Sequence, residues 1–286
     1  MKKEHIKHFI AILIIALYPK ILLFACELPP SMSAEDCKRL VSCCGDSIAY
    51  EQISRYSNME FDQGAQFYYL LLVACKYPHV SKFACAVAEN RLITDMYRSK
   101  AELRMMSDIC RATSLAILEE GIRRKEWASA EFAYQYYAHI EADSAKSIDY
   151  LKMSYSQGFR DLDSNFVEKK IEEAIDKWVN RYKTLPIQTP ITPNICRFPT
   201  DSLRQKVRCA GDSVAYQAMI SNSRSSKNNY AFRECLYDAI LMVCYYNYMP
   251  AKEHVCEILR TFYSEGEEPS NLYIRLLEIF GSISFE

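Results

Sequence analysis

The chain has 286 residues, 50% of them hydrophobic and 25% charged, with a formal net charge of −1. That balance belongs to a globular protein rather than a disordered one, and the length suits about two domains. No clustered basic run occurs, so the usual footprint of a nucleic-acid-binding protein is missing. Seven glycines and ten prolines disfavour a turn-rich all-β fold.

The chain opens with a basic segment, Met1 to His8, followed by an apolar run from Phe9 to Tyr18 and a second from Ile21 to Ala25. This is the pattern of a signal peptide over residues 1–25. The run Leu23-Phe24-Ala25-Cys26 resembles a bacterial lipobox, which implies acylation of Cys26. Simple cleavage near Ala25 and an uncleaved anchor over residues 9–25 are the other readings. An anchor of that length falls short of the roughly 20 apolar residues that a bilayer requires. The expected destination is the periplasm or cell envelope, or secretion, with membrane contact only through the N-terminal anchor or lipid.

Residues 27–100 form a first cysteine-bearing module. Ser33 and Asp36 mark a helix start. Cys37, Val41, Cys44 and Ile48 then recur at three- and four-residue steps, the spacing of one helix face. After a break at Ser57-Asn58, a second helix ends near Cys75 and is stopped by Pro78. A third helix carries Cys85.

Residues 101–184 continue in helical periodicity, with helices expected over Glu102 to Glu120, Lys125 to Ile140, Ser144 to Gln157 and Ser164 to Lys183. Ser147, Tyr150, Ser154 and Gly158 place small residues seven apart with an aromatic between them. This resembles the second helix of a Sel1-like or tetratricopeptide repeat, with Trp127, Ala133 and Tyr136 on the partner helix. The resemblance covers one unit, residues 125–158, and implies a protein-binding helical scaffold without catalytic residues. A plain antiparallel helix pair has the same pattern. Leu185 to Pro193 is a proline-spaced stretch, read as a stiff linker over 185–195.

The second module, residues 196–286, repeats the first. Cys43-Cys44-Gly45-Asp46-Ser47-Ile48-Ala49-Tyr50 returns as Cys209-Ala210-Gly211-Asp212-Ser213-Val214-Ala215-Tyr216. Cys75 answers Cys244, Cys85 answers Cys256, and Cys37 has its counterpart in Cys196. The helical stripe returns as Leu203, Val207, Ala210 and Val214, with Thr200 as the expected N-cap.

Twelve cysteines without a C-x-x-C or close histidine pairs speak against a zinc site and for disulfides in an oxidising compartment. At 1.5 Å of rise per residue, Cys43 and Cys75 lie at similar levels from the break between their helices. That predicts Cys43–Cys75 and Cys209–Cys244, leaving Cys37–Cys85 and Cys196–Cys256. Cys44, Cys110 and Cys235 have no counterpart in the other copy. Cys44 is expected on the core stripe, as a buried thiol or bridged to Cys110, with a reactive thiol as the alternative, and Cys235 is the candidate for a thiol left unpaired or linked between chains.

The duplicated Gly-Asp-Ser-x-Ala-Tyr is the candidate site. A mid-helix glycine costs about 1 kcal/mol relative to alanine, so its repetition points to close helix packing. The alternative is a polar binding spot built from Asp46, Ser47 and Tyr50, and from Asp212, Ser213 and Tyr216. Tyrosine clusters at 68–69, 134–137 and 245–248 could instead line a groove. No nucleophile elbow, phosphate loop, H-E-x-x-H or dinucleotide fingerprint is present, and His139-Ile140-Glu141 with Asp143 is the only compact titratable group. The expected molecule is an all-α, non-enzymatic exported protein without a cofactor. Two related disulfide-stapled modules flank a helical-hairpin middle region, and the surfaces bind another protein. An inhibitor or immunity-type protein against a secreted toxin or hydrolase, and a carrier of an apolar ligand, are the alternatives.

Overall fold

The computed structural model describes residues 32–55, 63–96, 106–157 and 201–281, and in them the protein is all-helical. The signal-peptide and linker segments, Cys26, Cys196, Gly158, Thr200 and the break at 57–58 lie outside those residues. No helix among the described residues is long and apolar enough to cross a membrane.

In the first copy, α1 (Ala34–Cys44) begins at Ser33, whose hydroxyl accepts from Asp36 N at 3.2 Å. It is followed by α2 (Ser47–Arg55), α3 (Gln63–Lys76), α4 (Ala84–Met96) and α5 (Asp108–Arg123), the last lying past the expected module boundary at residue 100 but packed on α4 as part of this copy. A hairpin, α6 (Trp127–His139) and α7 (Ser144–Gln157), follows. The second copy is α8 (Ser202–Ala210), α9 (Ser213–Ser225), α10 (Leu236–Cys244, entered through a 3₁₀ turn at Arg233–Cys235), α11 (Ala251–Arg260) and α12 (Asn271–Gly281). The N-cap of α8 is Asp201, which accepts from Leu203 N and Arg204 N.

The five helices of each copy pack in the same order. Helix α1 lies on α2 as α8 lies on α9, α3 on α4 as α10 on α11, and α4 on α5 as α11 on α12. The copies also match at their last helix: Ser107 caps α5 by accepting from Cys110 N, and Ser270 accepts from Tyr273 N at the start of α12.

The two copies share one core. Helix α10 is buried along its whole length, and α3 is buried from Ala65 to Cys75. A helix that is apolar all round must lie inside, and these two lie against each other. Phe67 meets Tyr237 edge-on at 5.5 Å between ring centroids, and Tyr68 meets Phe262 at 5.6 Å. Tyr69 donates to Glu234 at 2.9 Å, and Glu234 also pairs with Lys38 at 2.7 Å. Within the second copy, Arg208 and Asp238 form a fully buried two-pronged ion pair at 2.5 and 3.1 Å.

The hairpin attaches through the α5–α6 turn. Arg124 donates to Ala74 O at the end of α3, and Glu126 accepts from Ala86 N at the start of α4. One short turn thus satisfies backbone groups that two helix ends leave open.

None of the expected disulfides with both cysteines described is formed. Among the described residues no two cysteines are joined by a disulfide. Equal levels for Cys43 and Cys75 require one straight helix through Cys43 and Ile48, but the chain turns at Gly45. Cys43 therefore ends exposed on the last turn of α1, while Cys75 is buried. Cys37 donates to Gln52 at 3.1 Å instead of meeting Cys85. Cys209 is half-buried and Cys244 buried. The same turn corrects Cys44, which is exposed and donates to Leu40 O, whereas Cys110 is buried in α5. Cys235 is unbridged and buried; burial pushes its thiol up.

Candidate functional site

The duplicated motif is a helix-to-helix corner, built alike in both copies. Gly45 (φ 63°) and Gly211 (φ 62°) take the left-handed conformation that ends α1 and α8. Gly45 N donates to Val41 O and Asp46 N to Leu40 O; Gly211 N donates to Val207 O and Asp212 N to Lys206 O. The bond from each glycine N–H to the carbonyl four residues back is the αL closure of a helix C-terminus, and the longer bond from the aspartate N–H reinforces it. The glycine is therefore a terminator, not the mid-helix residue expected from the continuous stripe.

The next residue starts the next helix. Asp46 Oδ1 accepts from Ala49 N at 2.8 Å, and Asp212 Oδ1 accepts from Val214 N and Ala215 N, each at 2.9 Å. Both aspartates are N-caps, a position that favours a short acceptor side chain.

A tyrosine from two residues beyond the following cysteine closes each corner. Tyr77 donates to Ser42 O at 3.1 Å, and Tyr246 donates to Arg208 O at 2.7 Å. Their rings lie so close to the glycines that an added Cβ would sit 2.4 Å from Tyr77 and 2.3 Å from Tyr246. Close approach does explain the glycine, but a ring makes it, not a helix. The tyrosines, missed in the sequence, hold equivalent positions as Cys75-Lys76-Tyr77 and Cys244-Tyr245-Tyr246.

The six candidate binding residues divide by this geometry. Asp46 and Asp212 are occupied as caps, and Tyr50 and Tyr216 are buried. Burial pushes the Tyr50 phenol up to about 12. Tyr216 reaches His254 Nδ1 at 2.9 Å, and burial holds that imidazole below its usual range. Only Ser47 is exposed, with Ser213 half-buried.

Between the buried alanine and the cap, each corner presents a β-branched side chain outward. Ile48 is 47% exposed and Val214 78% exposed. Three- and four-residue spacing alone puts both on the core stripe. The left-handed glycine resets the helical phase, so Val41 and Val207 point inward while Ile48 and Val214 point outward.

The tyrosine clusters are mainly internal. Tyr68, Tyr69 and Tyr136 are buried; Tyr137, Tyr245, Tyr246 and Tyr248 are half-buried. A groove between α2, α3 and α4, lined by Tyr50, Ile53, Gln66, Leu70, Val87 and Arg91, holds about 60 Å³. That is the volume of about two waters. Of the compact titratable group, Glu141 accepts from Tyr136 and pairs with Arg111, and Asp143 caps α7 through Lys146 N. Among the described residues no three acidic, histidine or cysteine side chains cluster to hold a metal ion.

In the hairpin, Ser147 and Ser154 are buried, and Ser154 donates to Trp127 O at 2.9 Å. Tyr150 stacks on Tyr137 at 5.2 Å, and Ala133 and Tyr136 are buried on the facing helix. No protein-family model, curated protein or solved structure matches the chain.

Proposed function

We propose that this chain is a non-enzymatic helical scaffold that binds another protein through its duplicated corners. The observation that carries the reading is the outward β-branched residue at the same place in both copies. The fold accounts for four of the six motif residues: glycine closes a helix, aspartate caps the next, alanine and tyrosine fill the core. It gives no reason for Ile48 and Val214, whose exposure forgoes a burial worth about 1.5–3 kcal/mol per side chain. A lone exposed apolar side chain is ordinary on a protein surface; the reading rests on its recurrence at the same place in both copies, where a protein partner would desolvate it.

Export to the cell envelope, with lipidation at Cys26 as one form of anchoring, belongs to the same proposal. It rests on the basic and apolar N-terminal segment, because the described cysteines are unbridged and lend it no support.

The test is a photo-crosslinking residue placed at Val214 or Ile48 in the full chain, in its native cells. A discrete adduct is expected from both positions and not from the exposed polar control Gln205. Val214→Asp should weaken the adduct formed from Ile48 if one partner spans both corners, and should leave the helical spectrum unchanged. Adducts no stronger than those from Gln205 would remove the reading.

A further inference from the structure

The two copies hold each other reciprocally. Helix α3 of the first lies on α10 of the second, its own counterpart, and α5 lies on α12, again its counterpart. The crossed contacts are matched too: α3 touches α12, and α5 touches α10. This is the pattern of an isologous dimer, in which one patch meets its equivalent about a two-fold axis, here enclosed in a single chain.

We propose that this face is a self-recognition surface, and that its second partner is another copy of the chain. The first module of one chain pairs with the second module of another, and the remaining two modules pair likewise. Nothing in the contact depends on the covalent connection. Its polar bonds include Lys38 with Glu234 at 2.7 Å, Tyr69 with Glu234 at 2.9 Å, Lys76 with Glu267 at 2.6 Å, Tyr263 donating to Cys75 O at 2.8 Å, and Arg275 with Glu119. Each is a bond between copies that a second chain supplies equally well. The connection runs through residues 158–200, and at up to about 3.3–3.6 Å per residue its length does not force the pairing within one chain. What favours the closed monomer is the effective concentration that a covalent connection imposes. The exchanged dimer gains whenever the internal pairing is penalised and the external one is not.

Charge exchange imposes that condition. In Lys38→Glu two acidic groups face each other within the chain, and in Glu234→Lys two basic groups do. In an exchanged dimer of the two variants, both interfaces regain opposite charges. The full-length variants are refolded from urea separately and as an equimolar mixture, then weighed by native mass spectrometry. The expected result is a heterodimer at twice the 33.2 kDa chain mass. It should exceed either homodimer about ten-fold, the factor set by ~1.4 kcal/mol of mismatch, with the unfolding midpoint restored towards the parent. A mixture that stays monomeric, with each variant keeping its own lowered midpoint, would overturn the proposal. If either variant fails to fold, Lys76→Glu with Glu267→Lys repeats the test at a more exposed pair (15% and 42%). Monomers alone in that mixture overturn the proposal equally.

Discussion

At Gly45 and Gly211 two demands fall on one atom. The left-handed φ disfavours any L side chain, and the ring of Tyr77 or Tyr246 fills the space that a Cβ would need. The two demands can be separated. Asparagine tolerates the left-handed region better than alanine, yet it brings the same Cβ against the ring. If the ring sets the larger cost, Gly211→Ala and Gly211→Asn should both destabilise by roughly 2 kcal/mol or more, beyond the 1 kcal/mol or so of backbone strain. Urea unfolding of the two variants decides it, and an asparagine variant close to the parent would show that conformation dominates. A second residue governs the response to pH. Glu89 is fully buried on α4, with Oε2 unpartnered among the described residues, and burial pushes its carboxyl up to about 8. The neighbouring Ser114 hydroxyl acts weakly the other way. An unfolded glutamate titrates near 4.5, so between pH 4.5 and 8 the unfolded chain has lost a proton that the folded chain keeps. Stability from this group is full below 4.5, falls by about 1.4 kcal/mol per unit towards 8, and is then flat. Glu89→Gln should flatten that slope in denaturant midpoints measured across the range; parallel slopes for the two proteins would assign the pH dependence elsewhere.

At the scale of elements, periodicity reveals a helix more readily than the direction its faces take. Helices α3, α7 and α11 lie where apolar spacing and proline stops put them, because their faces are decided within each segment. The cap at Ser33 was legible for the same reason: a hydroxyl three residues before a carboxylate is a local signal. The corner was not, although its Gly-Asp-Ser-x-Ala-Tyr run stands out in both copies. Cys37, Val41, Cys44 and Ile48 satisfy a helical stripe, and only a left-handed φ at Gly45 distinguishes one helix from two. The Gly-Asp order held that information, as a terminator followed by a cap. The disulfide pairing fell with the stripe, since levels counted along a straight helix lose their meaning past a turn. The match between α5 and α12 was illegible for a different reason. The two helices share a serine cap and a packing position, but almost no residue identities, so only the packing order relates them. The outward direction of Ile48 and Val214, on which the proposed function rests, follows from the corner and was hidden with it.

The whole molecule is a duplication whose halves do not have separate interiors. Phe67, Tyr68 and Tyr69 on α3 bury themselves against Tyr237, Phe262 and Glu234 of the other copy. An interface with apolar helices at its centre behaves as core rather than as a contact between domains, so neither copy keeps its interior without the other. The consequence is cooperative unfolding. Leu241 is fully buried on α10, in the second copy, and Leu241→Ala should cost about 2–5 kcal/mol. With separate domains, that loss would be confined to the second copy, and calorimetry would show an early transition followed by an unchanged one. With a shared core, a single transition should move to lower temperature as a whole. Hydrogen exchange gives the same comparison by position. Amides of α3 in the first copy should lose protection in step with those of α10, because the opening that exposes one removes the burial of the other. Unchanged protection along α3 in Leu241→Ala would show that the copies are stable apart, despite the rings they place against each other.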